Sequence, residues 1–296
     1  MNEDPLGVFD GWYRDHTASL TKTATDTAEA ALARIAQQAV DAQAELLRNI
    51  AAPILEGEWL SAELRETLER TQQALREHFE RVMPPNFAEL DIDVLSDAME
   101  MSGSSGPCVV WAPRREIIEQ LVTCETFDDR SAVLRATRAD VLSDVREILS
   151  AATATSTPIQ QDLRRFATSA CLAAIDGHDE AAQALAAAGL GGVIHDVLGH
   201  QHFAPARAQM ASHDLQEAAI DQVRYLTLQR ATANAITPTR ESSDGFNRHG
   251  TLHGTLSAYN EATMLSAVLL LAGWVRELSW WAENHPEVFQ TGWSDS

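Results

Sequence analysis

Positive charge is scarce in this sequence. Its 22 Lys and Arg residues are outnumbered by 43 Asp and Glu residues, which gives a formal net charge of −21 over 296 residues. Proteins that bind nucleic acids in general do so through basic surfaces that release counterions, so this chain as a whole should repel a polyanion. A general RNA- or DNA-binding protein is therefore excluded, and any nucleic-acid role has to be confined to one neutral or basic cleft.

Cysteine and long apolar runs are also scarce. The three cysteines, Cys108, Cys124 and Cys171, are odd in number, widely spaced and show no metal-binding pattern. We expect them to be small buried residues of a protein in a reducing cytoplasm. Residues 1–5 are acidic and precede no apolar run, so we expect no secretory signal. The longest apolar run, 267–275, is about half as long as a membrane helix needs.

Strand patterns and internal repeats are missing as well, and helical spacing of apolar residues dominates the chain. We predict an all-α fold, a helical bundle with an N-terminal helical hairpin or arm. Residues 1–100 would form that N-terminal segment, with a role in dimerisation, sensing or regulation. The Gly-, Ser- and Pro-containing stretch 101–107 predicts a linker. Residues 108–296 would form the C-terminal helical domain, whose last helix runs from about 259 to 283.

One stretch departs from this alanine-rich helical composition. Residues 245–254 read Gly-Phe-Asn-Arg-His-Gly-Thr-Leu-His-Gly. The planar guanidinium of Arg248 suits a phosphate, and free backbone N–H groups at a helix start favour an anion. His249 and His253 are four residues apart, so on a helix they share a face. A histidine near its neutral pKa can take a proton from a ribose hydroxyl or give one to a leaving oxygen.

These residue types together predict metal-independent cleavage of RNA through its 2′-hydroxyl group. Arg248 would stabilise charge that develops on the phosphate oxygens, and no carboxylate cluster surrounds it. Two alternatives stay open. In the first, Arg248 caps a helix and the two histidines make buried hydrogen bonds. In the second, the same residues form a non-catalytic site for a nucleotide or a protein.

The string Arg248-His249-Gly250-Thr251-Leu252-His253 resembles the Arg-x4–6-His signature of the HEPN superfamily. The resemblance covers roughly residues 158–285, and it includes Asn247, Asn260 and the apolar helix 264–275. HEPN domains are all-α bundles, and many are ribonucleases of toxin and abortive-infection systems. The resemblance implies that Arg248 and His253 are the catalytic pair, assisted by His249 and Asn247, with no metal and no cofactor.

The same resemblance implies a role and partners. It points to a cytoplasmic endoribonuclease that acts as a toxin or phage-defence effector and leaves a 2′,3′-cyclic phosphate. The active site would be composite, formed where two copies meet in a homodimer. The substrate would be RNA, such as a tRNA, and an antitoxin or a phage protein that triggers activity would be a further partner. No membrane is implied. The alternative is a non-catalytic HEPN-like module that binds a nucleotide or a protein.

A second histidine cluster contains His195, Asp196, His200 and His202. His195 beside Asp196 resembles the paired ligands of metal-dependent phosphohydrolases, to which His200 and His202 would add ligands. The further ligands that such a fold needs are not assignable in this sequence. We expect a structural or surface role for this cluster, while a metal site and a lining of the Arg248 cleft stay open as alternatives.

Tryptophans are concentrated near the C-terminus, at Trp274, Trp280, Trp281 and Trp293. Aromatic side chains suit both protein cores and protein–protein interfaces. We expect core packing, with an interface between protomers as the alternative for Trp280 and Trp281.

Overall fold

The computed structural model describes residues 70, 83–88, 90–104, 106–152, 157–198, 223–236, 245–253 and 259–284. The chain divides into two compact units, Gly7–Arg81 and a second unit that joins Met1–Leu6 to Val82–Ser296. Apart from Arg70, the first unit lies outside the described residues, and so does the predicted N-terminal hairpin or arm. The α-helices from Ile92 to Asn284 belong to the second unit.

The described residues form an all-α structure, which confirms the predicted helical bundle. They contain nine α-helices and no strand. The helices are α1 (Ile92–Gly103), α2 (Arg115–Val122), α3 (Phe127–Ala136), α4 (Arg138–Ala151), α5 (Pro158–Ile175), α6 (Asp179–Gly192), α7 (Val223–Ala235), α8 (Arg248–Leu252) and α9 (Glu261–Asn284). A 3-10 turn at Pro85–Phe87 precedes α1, and a π-helical turn at Val193–Val197 continues α6.

Local sequence accounts for where several of these helices begin. Thr126 caps α3 by accepting a hydrogen bond at 3.2 Å from the backbone N–H of Asp129. Thr157 caps α5 in the same way, with a 3.3 Å bond from the N–H of Gln160. Proline is favoured at the first position of a helix because its missing N–H would be unpaired there, and Pro158 occupies that position in α5. These caps satisfy backbone donors that the first helical turn leaves unpaired.

Helix α9 is the centre of the bundle, and it packs against α3, α4, α5, α6 and α7. It is long and apolar enough to cross a membrane by length and composition, but 94% of the apolar window is buried inside the protein. Its burial on all sides accounts for an apolar surface that runs around the helix. Trp274, Trp280 and Trp281 are buried in this core, as predicted. Trp293 lies outside the described residues.

Glycine residues permit close contacts between α9 and its neighbours. A Cβ atom added at Gly189 of α6 would lie 3.0 Å from Leu271 Cδ1, and one added at Gly273 would lie 3.1 Å from the carbonyl oxygen of Val110. Both contacts are tighter than ordinary van der Waals separation. The glycine at position 189 therefore lets the backbone of α6 lie close to α9.

A buried ion pair links α7 to α9. Arg224 and Glu277 are both fully buried, and the Arg224 Nε donates to Glu277 Oε2 at 3.0 Å. The indole N–H groups of Trp111 and Trp281 donate to the same carboxylate at 2.8 and 2.9 Å. The Arg224 guanidinium carbon lies 4.0 Å from the ring centre of Trp280. Hydrogen bonds and a cation–π contact thus stabilise charges that burial would otherwise penalise.

The predicted linker at 101–107 lies within the second compact unit. Met101 and Ser102 are buried, and α1 extends to Gly103. The backbone N–H of Val109 donates to Ser102 Oγ at 3.1 Å, and the side-chain amide of Asn234 donates to the Gly103 carbonyl at 2.9 Å. Gly and Ser serve here as small groups at a close contact with α7.

All three cysteines are free. Cys108 and Cys171 are buried as predicted, whereas Cys124 is only partly covered. Burial raises the pKa of the Cys108 thiol to about 12 and that of Cys171 to about 11. A raised pKa keeps both thiols protonated and poorly nucleophilic near neutral pH.

We predict that Arg224→Met lowers the free energy of unfolding by about 3–5 kcal/mol, because Glu277 would be left as a buried charge without its cation. Equilibrium urea denaturation measures this loss. Arg165→Met is the matched control. Arg165 pairs with Asp162 at the surface, with 72% and 63% of the two side chains exposed, so its loss should cost less than about 1 kcal/mol. Similar losses in the two variants would contradict a special role for the buried pair.

Candidate functional site

The stretch Arg248–His253, called the Arg-His stretch below, is preceded by an N-cap residue, Asn247. Asn247 has an extended backbone, and its Oδ1 accepts a hydrogen bond from the Gly250 N–H at 2.9 Å. Arg248 is consequently the first residue of α8, as the sequence predicted for a helix start. The Thr251 hydroxyl donates back to the Asn247 carbonyl at 2.9 Å and closes the first turn. A helix of five residues is too short to be stable by itself, so tertiary contacts must hold it.

The buried amide of Gln183 provides those contacts. Its Nε2 donates to Thr251 Oγ1 at 2.7 Å, and its Oε1 accepts from Thr263 Oγ1 at 3.0 Å. The Tyr259 hydroxyl adds a 2.6 Å bond to the Thr251 carbonyl. Gln183 thus joins α6 to α8 and to the first turn of α9. Gln183 was not predicted from the sequence, although a lone polar residue on the buried stripe of an alanine-rich helix is a signal for such a role.

Arg248 lies against α6. Its Nε donates to the Ala187 carbonyl at 2.9 Å. The guanidinium also passes directly over Gly191, where an added Cβ atom would lie 3.3 Å from Arg248 Cζ. Burial lowers the pKa of Arg248. An arginine pKa starts high enough that the side chain stays a cation. The half-buried positive charge of Arg248 therefore lies against α6 at Gly191, where α6 has no side chain.

His249 and His253 come together at the surface. Both side chains are exposed, and their ring centres are 4.3 Å apart with an angle of 53° between the planes. The backbone N–H of His253 donates to the His249 carbonyl at 3.1 Å, which places His253 at the end of α8. The shared face predicted from their spacing is present. The structural alternative is wrong on both points, since Asn247 is the cap and the histidine rings are not buried.

The second histidine cluster is described only in part. His195 and Asp196 lie on the π-helical turn, and His195 Nδ1 is 2.7 Å from Asp196 Oδ1. Their side chains are 64% and 39% exposed. Within the described residues, no three His, Cys, Asp or Glu side chains are grouped as a metal site would require. His200 and His202 lie outside that part of the chain, so the metal-site alternative stays a prediction.

Taken together, the structure pairs His249 with His253, pairs His195 with Asp196, and places Arg248 against α6. Asn247, which the resemblance assigns to assisting catalysis, has an observed role as the cap that starts α8. No protein-family model, no curated protein and no solved structure matches this chain.

We predict that Asn247→Ala destabilises α8, because the Gly250 N–H loses its acceptor. The loss of an N-cap costs about 1 kcal/mol of folding free energy, and here it should appear as faster hydrogen exchange of the Gly250 amide. Asn247→Asp keeps a cap oxygen and is the matched control. Exchange that is equally fast in both variants, or unchanged in both, would show that the side chain does not hold the helix.

Proposed function

We propose that this protein is a metal-independent endoribonuclease whose active site is built around α8. The observation that supports this most strongly is the exposed His249–His253 pair on the same short helix as the Arg248 cation. The ring centres of these two imidazoles are 4.3 Å apart. An imidazole can accept or donate a proton, so the pair offers both functions that general acid–base catalysis needs.

The reaction that this supports is an intramolecular transfer at phosphorus. A neutral histidine takes the proton of the ribose 2′-hydroxyl, and the 2′-oxygen forms a bond to phosphorus. The bond from phosphorus to the 5′-oxygen breaks, and that oxygen takes a proton from a protonated histidine. The products are a 2′,3′-cyclic phosphate and a 5′-hydroxyl. His253 would act as base or acid, and Arg248 would stabilise charge on the phosphate oxygens.

Local charge supports an RNA substrate despite the acidic composition of the chain. Residues 245–253 contain one arginine and two histidines and no acidic residue. A limited neutral-to-basic patch on a protein of net charge −21 favours recognition of one folded RNA, such as a tRNA, over binding to RNA in general. The proposed role in toxin or phage-defence systems, the cytoplasmic location and the composite homodimer site rest on the resemblance to HEPN domains.

A second candidate is a non-catalytic module that binds a nucleotide or a protein. The observation in its favour is the contact of Arg248 with α6. Its Nε is bound to the Ala187 carbonyl, and its guanidinium packs over Gly191. An arginine held in this way stabilises the position of α8. The exposed residues of α8 would then be held in place to bind a nucleotide or a protein, without catalysis.

The test is cleavage of total RNA by the purified full-length protein in EDTA. We expect discrete fragments with cyclic-phosphate ends. His253→Ala should lower the rate about 10²-fold or more, which is the usual contribution of general acid–base catalysis, and Arg248→Ala should also abolish most of the activity. His178→Ala is the matched control, because His178 is an exposed histidine at the opposite end of α6 from Gly191.

Each contrary outcome points to a different alternative. No cleavage by the wild-type protein would favour the binding module. Cleavage that His253→Ala leaves intact would contradict the assignment of α8 as the active site. Cleavage that EDTA abolishes, together with a stoichiometric metal in elemental analysis, would support the phosphohydrolase alternative at His195.

A further inference from the structure

The π-helical turn after α6 is an unusual feature that the proposed α8 chemistry does not explain. The N–H of Leu198 bonds to the Val193 carbonyl at 2.9 Å, which is the five-residue spacing of a π turn. Such turns make up well under 1% of residues in proteins, and they occur often at functional sites. This one holds His195 and Asp196 at the surface, while Val193, Ile194 and Val197 are buried beneath them.

His195 lies on the same side of its helix as the Arg248 contact. Arg248 crosses α6 at Ala187 and Gly191, and His195 follows at the next interval of four residues. Residues four apart lie one above another on a helix, with about 6 Å between them along the axis. The Arg248 guanidinium is therefore within one helical turn of the backbone of His195.

The side chains of the π turn lean back towards that guanidinium. Helical side chains tilt towards the N-terminus and cover the turn that precedes their own Cα atoms. Asp196 shows this tilt directly, because its Oδ2 lies 3.7 Å from the position that a Cβ atom of Gly192 would occupy. His195 is bound to the other oxygen of that carboxylate at 2.7 Å. Asp196 thus lies beside Gly192, and Arg248 lies over the neighbouring Gly191, so the two charged side chains contact adjacent glycines of α6.

We infer that His195 and Asp196 belong to the same site as Arg248, and that His195 is its general base. This inference rests on the proposed ribonuclease function. Asp196 binds Nδ1 of His195, which favours the tautomer with the proton on Nδ1 and leaves Nε2 as the acceptor. Asp196 is then a positioning residue. The phosphate would lie between Arg248 and His195, on the glycine surface of α6.

His195, positioned by Asp196, would accept the first proton, and the His249–His253 pair would donate the second. Neutral His195 takes the 2′-hydroxyl proton through Nε2 as the 2′-oxygen bonds to phosphorus. The 5′-oxygen leaves with a proton from the protonated member of the His249–His253 pair. His195 ends as an imidazolium and that pair ends neutral, so one turnover conserves protons. A single chain then supplies both the base and the acid, without a second copy of the Arg-His stretch.

Titration with inorganic phosphate tests the shared site without requiring activity. The full-length protein would be ¹⁵N-labelled at histidine, and the His195 and His178 resonances would be assigned with His195→Gln and His178→Gln. We expect the His195 resonances to shift together with those of His249 or His253, with one dissociation constant. Arg248→Ala should weaken that binding, and His178 should not respond. A His195 resonance that stays fixed as phosphate is added would overturn the inference, whether or not the other histidines shift.

Kinetics test the catalytic role. His195→Ala and Asp196→Asn should each lower kcat about 10²-fold and leave KM nearly unchanged, since neither residue supplies the main phosphate contact. Asp196→Glu should recover part of the rate, as expected of a positioning carboxylate. His195 is exposed and Asp196 is partly exposed, so the midpoint of urea denaturation should barely move.

The outcomes separate the two proposals. If the wild-type protein cleaves RNA and His195→Ala cleaves equally well, the inference fails and the α8 ribonuclease stands. If the wild-type protein does not cleave RNA, the proposed function fails, and the phosphate titration still decides whether Arg248 and His195 share an anion site.

Discussion

The two buried hydrogen bonds of Gln183 hold together the helices on which the candidate site depends. One amide contacts Thr251 of α8 and Thr263 of α9, in a position that water does not reach. A buried polar group that loses its partner costs about 1–3 kcal/mol, so these hydrogen bonds hold α6, α8 and α9 in fixed relative positions. In these positions Arg248 lies across α6, and His249 and His253 face solvent.

The alanine and glycine content of α6 has two structural consequences on different sides of the helix. Gly189 admits Leu271 of the central helix, and Gly191 admits the guanidinium of Arg248. Residues two apart on a helix point in nearly opposite directions, so the core contact and the site contact do not compete. Small residues without functional groups thus control how closely Arg248 and Leu271 approach the backbone of α6.

Much of this arrangement was predictable from local sequence. The all-α class, the last helix near 259–283 and the start of a helix at Arg248 follow from apolar spacing and residue type, and the observed helices α8 and α9 agree closely with those predictions. The buried tryptophans follow from the same reasoning. The roles of Asn247 and Gln183 were not predicted, because a cap and a buried bridge depend on which groups meet, and spacing alone does not determine that.

The sequence by itself determined which parts of the chain form helices and which side chains share a face, because these depend on periods of three to four residues. It also determined the acidic balance of the chain, in which 43 Asp and Glu residues outnumber 22 Lys and Arg residues. Only the tertiary structure decided that Arg248 crosses α6 at Ala187 and Gly191 and that His195 bonds Asp196 on a π turn next to that crossing. Residues some sixty positions apart meet through packing and buried hydrogen bonds, which no local pattern encodes.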